Sequence, residues 1–192
     1  PAPDTTPPEL KVEIPKAVAG NNLGVSGTAE IGATVRAYVN GAQLQSTTAT
    51  GGSFTLTAIP LASNVESIVK IEAVDAAGNS ASVESKVFAD TSKPTLQLAP
   101  LPEFTADKKI TLSGTISEAS SYEVFMDNQS VAKGEGTTLK ADLSLEEGKN
   151  TILIVITDTA GWVTEEEVSV ISDTKAPTVE FDFAKGKEYY QG

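Results

Sequence analysis

The sequence predicts an all-β protein that consists of two similar antiparallel β-sandwiches, and three observations support this prediction. Linker-like strings recur as "DTTPPEL", "DTSKPTL" and "DTKAPTV", which begin at Asp4, Asp90 and Asp173. The turn sequence Asp-x-Ala-Gly occurs twice, in "VDAAGN" and "TDTAGW", near the end of each repeat. Between these markers, short runs rich in β-branched residues alternate apolar and polar side chains, which is typical of strands.

The repeat defines the predicted domain organisation, because self-similarity at a fixed spacing indicates repeated structural units. We expect a first module over residues 1–89 and a second module over residues 90–172. Residues 173–192 then form either the linker and first strand of a truncated third module or a tail.

Each module contains six strand-like segments and no stretch with a helical apolar stripe. In the first module they are "LKVEI", "LGVSGTA", "TVRAYV", "SFTLTAI", "SIVKIEAVD" and "SASVESKVF". In the second they are "LQLA", "KITLSGTI", "YEVFM", "TTLKADL", "NTILIVITD" and "TEEEVSVIS". Six or seven short strands in about ninety residues are typical of immunoglobulin-like Greek-key sandwiches.

Two turns are predicted from glycine-containing sequences. Asn40-Gly41 follows "RAYV" and favours a two-residue hairpin, because a type I′ turn needs positive φ at both positions. The segment "AKGEGTT" at 132–138 lacks the spacing and the helix of a phosphate-binding loop, and we interpret it as a surface turn.

Alternation in the penultimate strand of each module predicts which side chains face the core. The inward rows are expected to be Val69, Ile71 and Ala73 in the first module and Ile152, Ile154 and Ile156 in the second. Asp75 and Asp158 share the faces of these rows at the strand ends.

Composition argues against several classes of function. The 192 residues contain 14 basic and 26 acidic side chains, and the net charge of −12 repels nucleic acid and anionic membranes. No apolar stretch reaches the roughly 20 residues of a membrane-spanning helix. Cys and His are absent, which excludes disulfides and thiolate metal sites and removes the commonest general base. We therefore expect no enzymatic activity.

The strings "DTTPP", "VSGTAEIGATVRAYVNG" and "IEAVDAAGN" resemble bacterial Ig-like domains. The resemblance covers residues 4–88 well, whereas the second module keeps the linker, "LSGTISE" and "ITDTAG" but has "SSYEVFM" in place of the Gly-Ala-Thr-Val stretch. Domains of this family occur in tandem in surface-layer proteins, adhesins, cell-wall enzymes and extracellular glycosidases. The resemblance implies a location outside the bacterial cell, at the cell surface or in the cell wall.

The repeated aspartates have two interpretations. In the first, Asp75 and Asp158 only form turns, with Asp accepting backbone N–H bonds and Gly closing the hairpin. In the second, carboxylates converge at each module junction and bind calcium, which takes 6–8 oxygen ligands. The candidate metal ligands are Asp4, Glu30 and Asp75 for the first module and Asp90, Glu118 and Asp158 for the second.

Trp162 is the only Trp and replaces the Asn79 of the first turn. Its ring either packs on the linker near Phe88 and Pro94 or offers a stacking surface to a sugar. Because no cluster of exposed aromatic residues accompanies Trp162 in the sequence, packing between modules is the favoured interpretation.

These features lead to two functional hypotheses. The favoured one is a non-catalytic stalk or spacer in a larger exported bacterial surface protein, whose partners are the adjacent modules of the same polypeptide. The alternative is a ligand-binding module, either an adhesin head or a carbohydrate-binding accessory domain that contacts a cell-surface glycan or protein. Neither hypothesis involves nucleic acid or membrane insertion.

Overall fold

The computed structural model describes residues 2–180, and all regular structure within this range is β-strand. This confirms the predicted all-β class. The strands are β1 (Leu10–Val12), β2 (Ala17–Ala19), β3 (Asn22–Ala29), β4 (Thr34–Val39), β5 (Ala42–Thr48), β6 (Ser53–Pro60), β7 (Glu66–Val74), β8 (Ser80–Asp90), β9 (Leu96–Leu98), β10 (Phe104–Thr105), β11 (Lys109–Met126), β12 (Gln129–Ser144), β13 (Gly148–Asp158) and β14 (Val163–Ser172). No helix among residues 2–180 has the length and apolarity that crossing a bilayer requires.

The first eight strands form two sheets around one hydrophobic core. One sheet has the order β1-β3-β6 and the other the order β2-β8-β7-β4-β5. Their facing side chains, among them Leu23, Val35, Ile59 and Ile71, are almost completely buried.

Strands β9–β14 enclose a second, separate core. The long strands β11 and β12 pair along most of their length, and β11 is interrupted by a register shift between Thr115 and Ser120. Before this irregularity β11 pairs with β9, and after it β11 pairs with β13. The two long strands thus contribute to both layers of this sandwich, around a core that includes Leu112, Val124 and Ile154.

The first strand of each unit is split into two short pieces, a feature that the sequence analysis missed. β1 pairs antiparallel with β3, whereas β2 pairs parallel with β8. In the second unit β9 pairs with β11 and β10 pairs parallel with β14. Pro15 lies between β1 and β2, and Pro100 and Pro102 lie between β9 and β10. Because Pro lacks an N–H, it interrupts the ladder and lets the chain cross to the other sheet.

The predicted strand faces and the predicted hairpin are confirmed. The inward rows of β7 and β13 are fully buried, namely Val69, Ile71, Ala73, Ile152, Ile154 and Ile156. Asn40 and Gly41 join β4 to β5 with φ of 50° and 86°, as a type I′ turn requires.

The prediction of a surface turn at 132–138 is wrong, because this segment lies inside β12. Gly134 pairs with Tyr122 of β11, and a Cβ atom at Gly134 would overlap the Tyr122 hydroxyl. The glycine therefore provides space for a neighbouring ring within a strand and does not form a turn.

A short linker joins the two units. β8 ends at Asp90 and β9 begins at Leu96, so five residues lie between the two sandwiches. Residues 173–180 contain no strand. The expected linker and first strand of a third module cover residues 173–192, of which residues 181–192 lie outside the described part of the chain.

Candidate metal centre at the junction

Asp158 forms the turn that the sequence predicts for it. It ends β13, and its Oδ1 accepts the backbone N–H groups of Ala160, Gly161 and Trp162 at 2.8, 2.8 and 2.9 Å. Gly161 has a φ of 99°, which favours glycine. One carboxylate oxygen thus accepts all three of these backbone N–H groups.

The other oxygen of the same carboxylate has no partner. Asp158 is only 7% exposed, and its Oδ2 is buried without any hydrogen bond. A buried charged oxygen without a partner is costly, so native proteins pair such atoms or place them on a metal. Asp158 Oδ2 is therefore a free ligand atom inside the junction.

Two further carboxylates lie beside Asp158. One oxygen each from Asp90, Glu118 and Asp158 lies within 4.8 Å of the other two. Among residues 2–180, no Lys or Arg nitrogen forms a salt bridge with any of the three. Negative charge thus accumulates here without an ion pair among the described residues to balance it.

The irregularity in β11 positions Glu118. This residue lies between Thr115 and Ser120, where the pairing of β11 with β12 is interrupted and such a bulge re-aims side chains. Burial raises the pKa of Glu118, and the negative charges of Asp90 and Asp158 raise it further. A cation at this place would oppose both effects on the pKa, because it favours the ionised carboxylate.

Asp90 lies at the end of the first eight strands, and the predicted second module begins at the same residue. It is the last residue of β8 and is only 7% exposed. Its Oδ1 accepts the Ser92 N–H at 2.9 Å, and its backbone oxygen accepts the N–H groups of Gly20 and of the Trp162 indole at 2.6 and 2.9 Å. The cluster therefore joins one residue of the first unit to two residues of the second.

The donor set fits a hard cation. The three residues present only oxygen, and Asp158 Oδ2 needs a partner. Ca²⁺ accepts 6–8 oxygen ligands in irregular geometry, whereas Mg²⁺ needs a near-ideal octahedron. Carboxylates from three separate strands suit the irregular geometry of Ca²⁺ better than an octahedron.

The structure does not bring Asp4, Glu30 and Asp75 together in the same way. Within residues 2–180, the only group of three such side chains that approach closely is the one at Asp90. Asp4 and Glu30 are exposed, and both oxygens of Asp75 accept hydrogen bonds from Asn79. The first turn is closed by its own side chains, so the two predicted sites differ.

Trp162 lies at the junction with its indole N–H bonded to Asp90. The side chain is half-buried, and the Lys93 ammonium lies 5.5 Å from the ring centroid. Pro94 of the linker is buried, whereas Phe88 is 39% exposed. The indole hydrogen bond connects the second unit to the end of the first, and packing of the Trp162 ring between modules stays a prediction.

The linker is anchored on both sides, which sequence reasoning missed. Asn64 Oδ1 accepts both the N–H and the hydroxyl of Thr91 at 2.9 Å. On the other side, Thr164 donates its hydroxyl to the Pro94 carbonyl at 2.5 Å, and the Ser117 hydroxyl accepts the Thr95 N–H at 2.9 Å. The recurring Asp-Thr pair was the only sign in the sequence that these linker residues are held in place. Their hydrogen-bond partners, such as Asn64 for Thr91, lie far away in the sequence.

No protein-family model and no curated protein matches the chain. Among solved structures, it is similar to the fibronectin(III)-like modules of CbhA from Clostridium thermocellum, with 14% identity and a TM-score of 0.64 over 91% of this chain and 100% of that one. It also matches the FN1–FN3 domains of chicken CNTN1, with 11% identity and a TM-score of 0.46 over 88% and 68%. A 1.5-MDa bacterial ice-binding adhesin matches with 14% identity and a TM-score of 0.37 over 90% and 67%.

At these identities the likeness concerns the fold alone. It confirms the resemblance inferred from the motifs at that level, since fibronectin(III)-like and Ig-like modules share the sandwich architecture. The chain is a tandem of immunoglobulin-like Greek-key β-sandwiches.

Proposed function

We propose that this chain is a non-catalytic stalk segment of a larger exported bacterial surface protein. The observation that carries the proposal is the anchored linker. Three of the five linker residues 91–95 are held by a side chain of the adjoining units, namely Thr91, Pro94 and Thr95. Asp90, directly before the linker, accepts the indole N–H of Trp162 through its backbone oxygen. Each such bond removes freedom that a flexible linker would keep, which favours a fixed arrangement of modules.

The proposed stalk has the adjacent modules of the same polypeptide as its partners. Its position is extracellular, at the cell surface or in the cell wall, where it spaces other domains. The alternative of a glycan- or protein-binding module receives less support, because the Lys93 ammonium lies over the Trp162 ring, 5.5 Å from its centroid. A sugar-binding platform would leave this aromatic side chain free for the ligand.

We further infer that Asp90, Glu118 and Asp158 hold Ca²⁺ at the junction. The support is the buried, unpartnered Asp158 Oδ2 and the absence of a salt bridge to this cluster within residues 2–180. Bound calcium would connect β8 of the first unit to β11 and β13 of the second. Such a bond between units would stiffen the stalk in a calcium-rich exterior.

The rigidity of the junction can be measured directly. The chain has no Cys, so Glu84→Cys and Glu165→Cys, both at exposed positions, introduce one spin label on each unit. We expect pulsed electron paramagnetic resonance to give a single narrow distance distribution in millimolar calcium. The reference for a flexible linker is the same labelled chain with Gly-Ser-Gly inserted after Ser92.

The outcomes separate the two parts of the proposal. A wild-type distribution in calcium that is as broad as that of the insertion variant would contradict the stalk. A distribution that is narrow in calcium and broadens with chelator supports both parts. A distribution that is narrow under both conditions leaves the stalk in place and counts against stiffening by calcium.

A further inference from the structure

The two Asp-x-Ala-Gly turns differ at the residue that follows the glycine. In the first turn Asn79 donates its side-chain N–H groups to Asp75 Oδ2 at 2.9 Å and to the Asp4 carbonyl at 3.2 Å. In the second turn Trp162 donates its indole N–H to the Asp90 carbonyl at 2.9 Å. Both residues therefore donate a hydrogen bond to the backbone carbonyl of the aspartate that begins a recurring Asp-Thr string.

The difference lies in the carboxylate of the turn. An Asn side-chain amide has two N–H donors, and Asn79 uses them for the linker carbonyl and for Asp75 Oδ2. An indole has one N–H, which Trp162 uses for the linker carbonyl. Asp158 Oδ2 consequently remains buried without a hydrogen-bond partner.

We propose that the residue after Asp-x-Ala-Gly determines whether the turn can bind a divalent cation. Asn closes the turn by occupying the second carboxylate oxygen, and Trp leaves that oxygen for the metal. This inference rests on the calcium site proposed above. It makes Trp162 a positioning residue that controls the site without being a ligand.

The first turn shows what Asn does to the carboxylate. The Asn79 side chain holds the pKa of Asp75 below its usual range, with the backbone N–H groups of the turn contributing as well. Hydrogen bonds therefore stabilise this carboxylate in its ionised form, and no metal is needed for the purpose. The carboxylate of Asp158 has only the turn N–H groups, all on Oδ1.

Two variants of the full chain test the inference. In Trp162→Asn, the new amide can bond both the Asp90 carbonyl and Asp158 Oδ2, as Asn79 does in its own turn. In the matched variant Trp162→Phe, the linker bond is lost but no donor reaches Oδ2. Calcium titration calorimetry gives the Kd of each, and we expect Trp162→Asn to raise it by about tenfold or more, because the metal must displace a hydrogen bond to a charged group.

Trp162→Phe is expected to raise the Kd less than Trp162→Asn does. Equal or larger weakening by Phe would overturn the proposal, because the ring and not the open oxygen would then matter. Unchanged binding by Trp162→Asn in a chain whose wild type binds calcium would overturn it while leaving the calcium site in place. If the wild-type chain shows no calcium binding, both the site and this inference fail.

A second measurement does not need calcium. In the metal-free Trp162→Asn chain, nuclear magnetic resonance should show slow hydrogen exchange for the side-chain amide introduced by the substitution, comparable to that of Asn79. Fast exchange of the introduced amide in a folded chain would show that Asp158 Oδ2 is not occupied, which would overturn the proposal.

Discussion

Glu118 lies beside two other carboxylates, and burial together with the charges of Asp90 and Asp158 raises its pKa. The folded chain therefore holds a proton on Glu118 more tightly than the unfolded chain does. Stability of the metal-free protein must fall as the pH rises from the usual carboxyl range through the raised pKa. At neutral pH the junction thus reduces stability unless a cation is bound.

Glu118→Gln removes this repulsion and should have opposite effects with and without calcium. In chelator at pH 7, we expect the unfolding midpoint to rise by a few degrees, since about 0.5 kcal/mol shifts a 90-residue domain by roughly 2–4 °C. In millimolar calcium the wild type should gain stability that the variant does not, because ligand binding to the native state raises stability. Differential scanning calorimetry measures both.

The control is Glu30→Gln, which changes an exposed glutamate outside the cluster. It should leave the midpoint unchanged in both conditions. Below the usual carboxyl pKa, the difference between Glu118→Gln and wild type should vanish, because Glu118 is then protonated in both the folded and the unfolded chain. A lower midpoint for Glu118→Gln in chelator would contradict the electrostatic account.

At the scale of single residues, part of the site could be predicted. Periodicity and turn chemistry place Asp158 at the end of a buried row, and the structure agrees. The same reasoning predicts an equivalent cluster at Asp75, which does not form because Asn79 occupies its carboxylate. The sequence shows the Asn-to-Trp difference, but it does not show which atoms each side chain reaches.

At the scale of elements, the pairing of β11 with β12 requires the ring of Tyr122 to lie close to a glycine. Gly134 lies opposite Tyr122, with no room for a Cβ atom. Local propensity favours a turn for "AKGEGTT", whereas pairing along β11 makes it strand. Tertiary contacts thus override local preference at this segment.

Gly134→Ala should destabilise the second unit. The added methyl group forces Tyr122 or the strand to move, and such overpacking costs about 1–3 kcal/mol. The matched control is Gly24→Ala in β3, where a Cβ atom meets nothing within 4 Å. Urea denaturation gives the free energy of unfolding of the unit that carries each substitution. If Gly134→Ala lowers this free energy no more than Gly24→Ala does, the contact with Tyr122 does not limit stability.

At the scale of the whole molecule, two separate cores predict two units of folding. The buried residues divide into a cluster within residues 23–89 and another within residues 112–170. In chelator, Ile154→Ala should lower only the unfolding transition of the second unit, and Ile71→Ala only that of the first. Each change should cost about 2–5 kcal/mol, because each side chain is fully buried.

Calorimetry with both variants checks this expectation. If Ile154→Ala lowers the stability of both units equally, the chain unfolds as one cooperative body and the proposed division into modules is wrong. Repeating the scan in calcium then measures how strongly the junction couples the units.

The pair of hydrogen bonds that holds Thr91 of the linker is repeated after the second unit. Glu147 Oε2 accepts the N–H and the hydroxyl of Thr174 at 3.2 and 2.7 Å, much as Asn64 accepts both groups of Thr91. The Thr174 hydroxyl, followed by its N–H and by Lys175, lowers the pKa of Glu147. The same means of fixing the chain thus appears at the end of each sandwich.

The repeat, the strand faces and the hairpin at Asn40 could all be predicted from the amino-acid sequence, because period-two alternation and positive-φ turns are local properties. The sequence also placed carboxylates at the ends of the right strands. It did not show that Asp90, Glu118 and Asp158 meet, or that one buried oxygen of Asp158 lacks a partner. Those features depend on distances between residues far apart in the chain, which are set by sheet pairing, the bulge in β11 and the anchored linker.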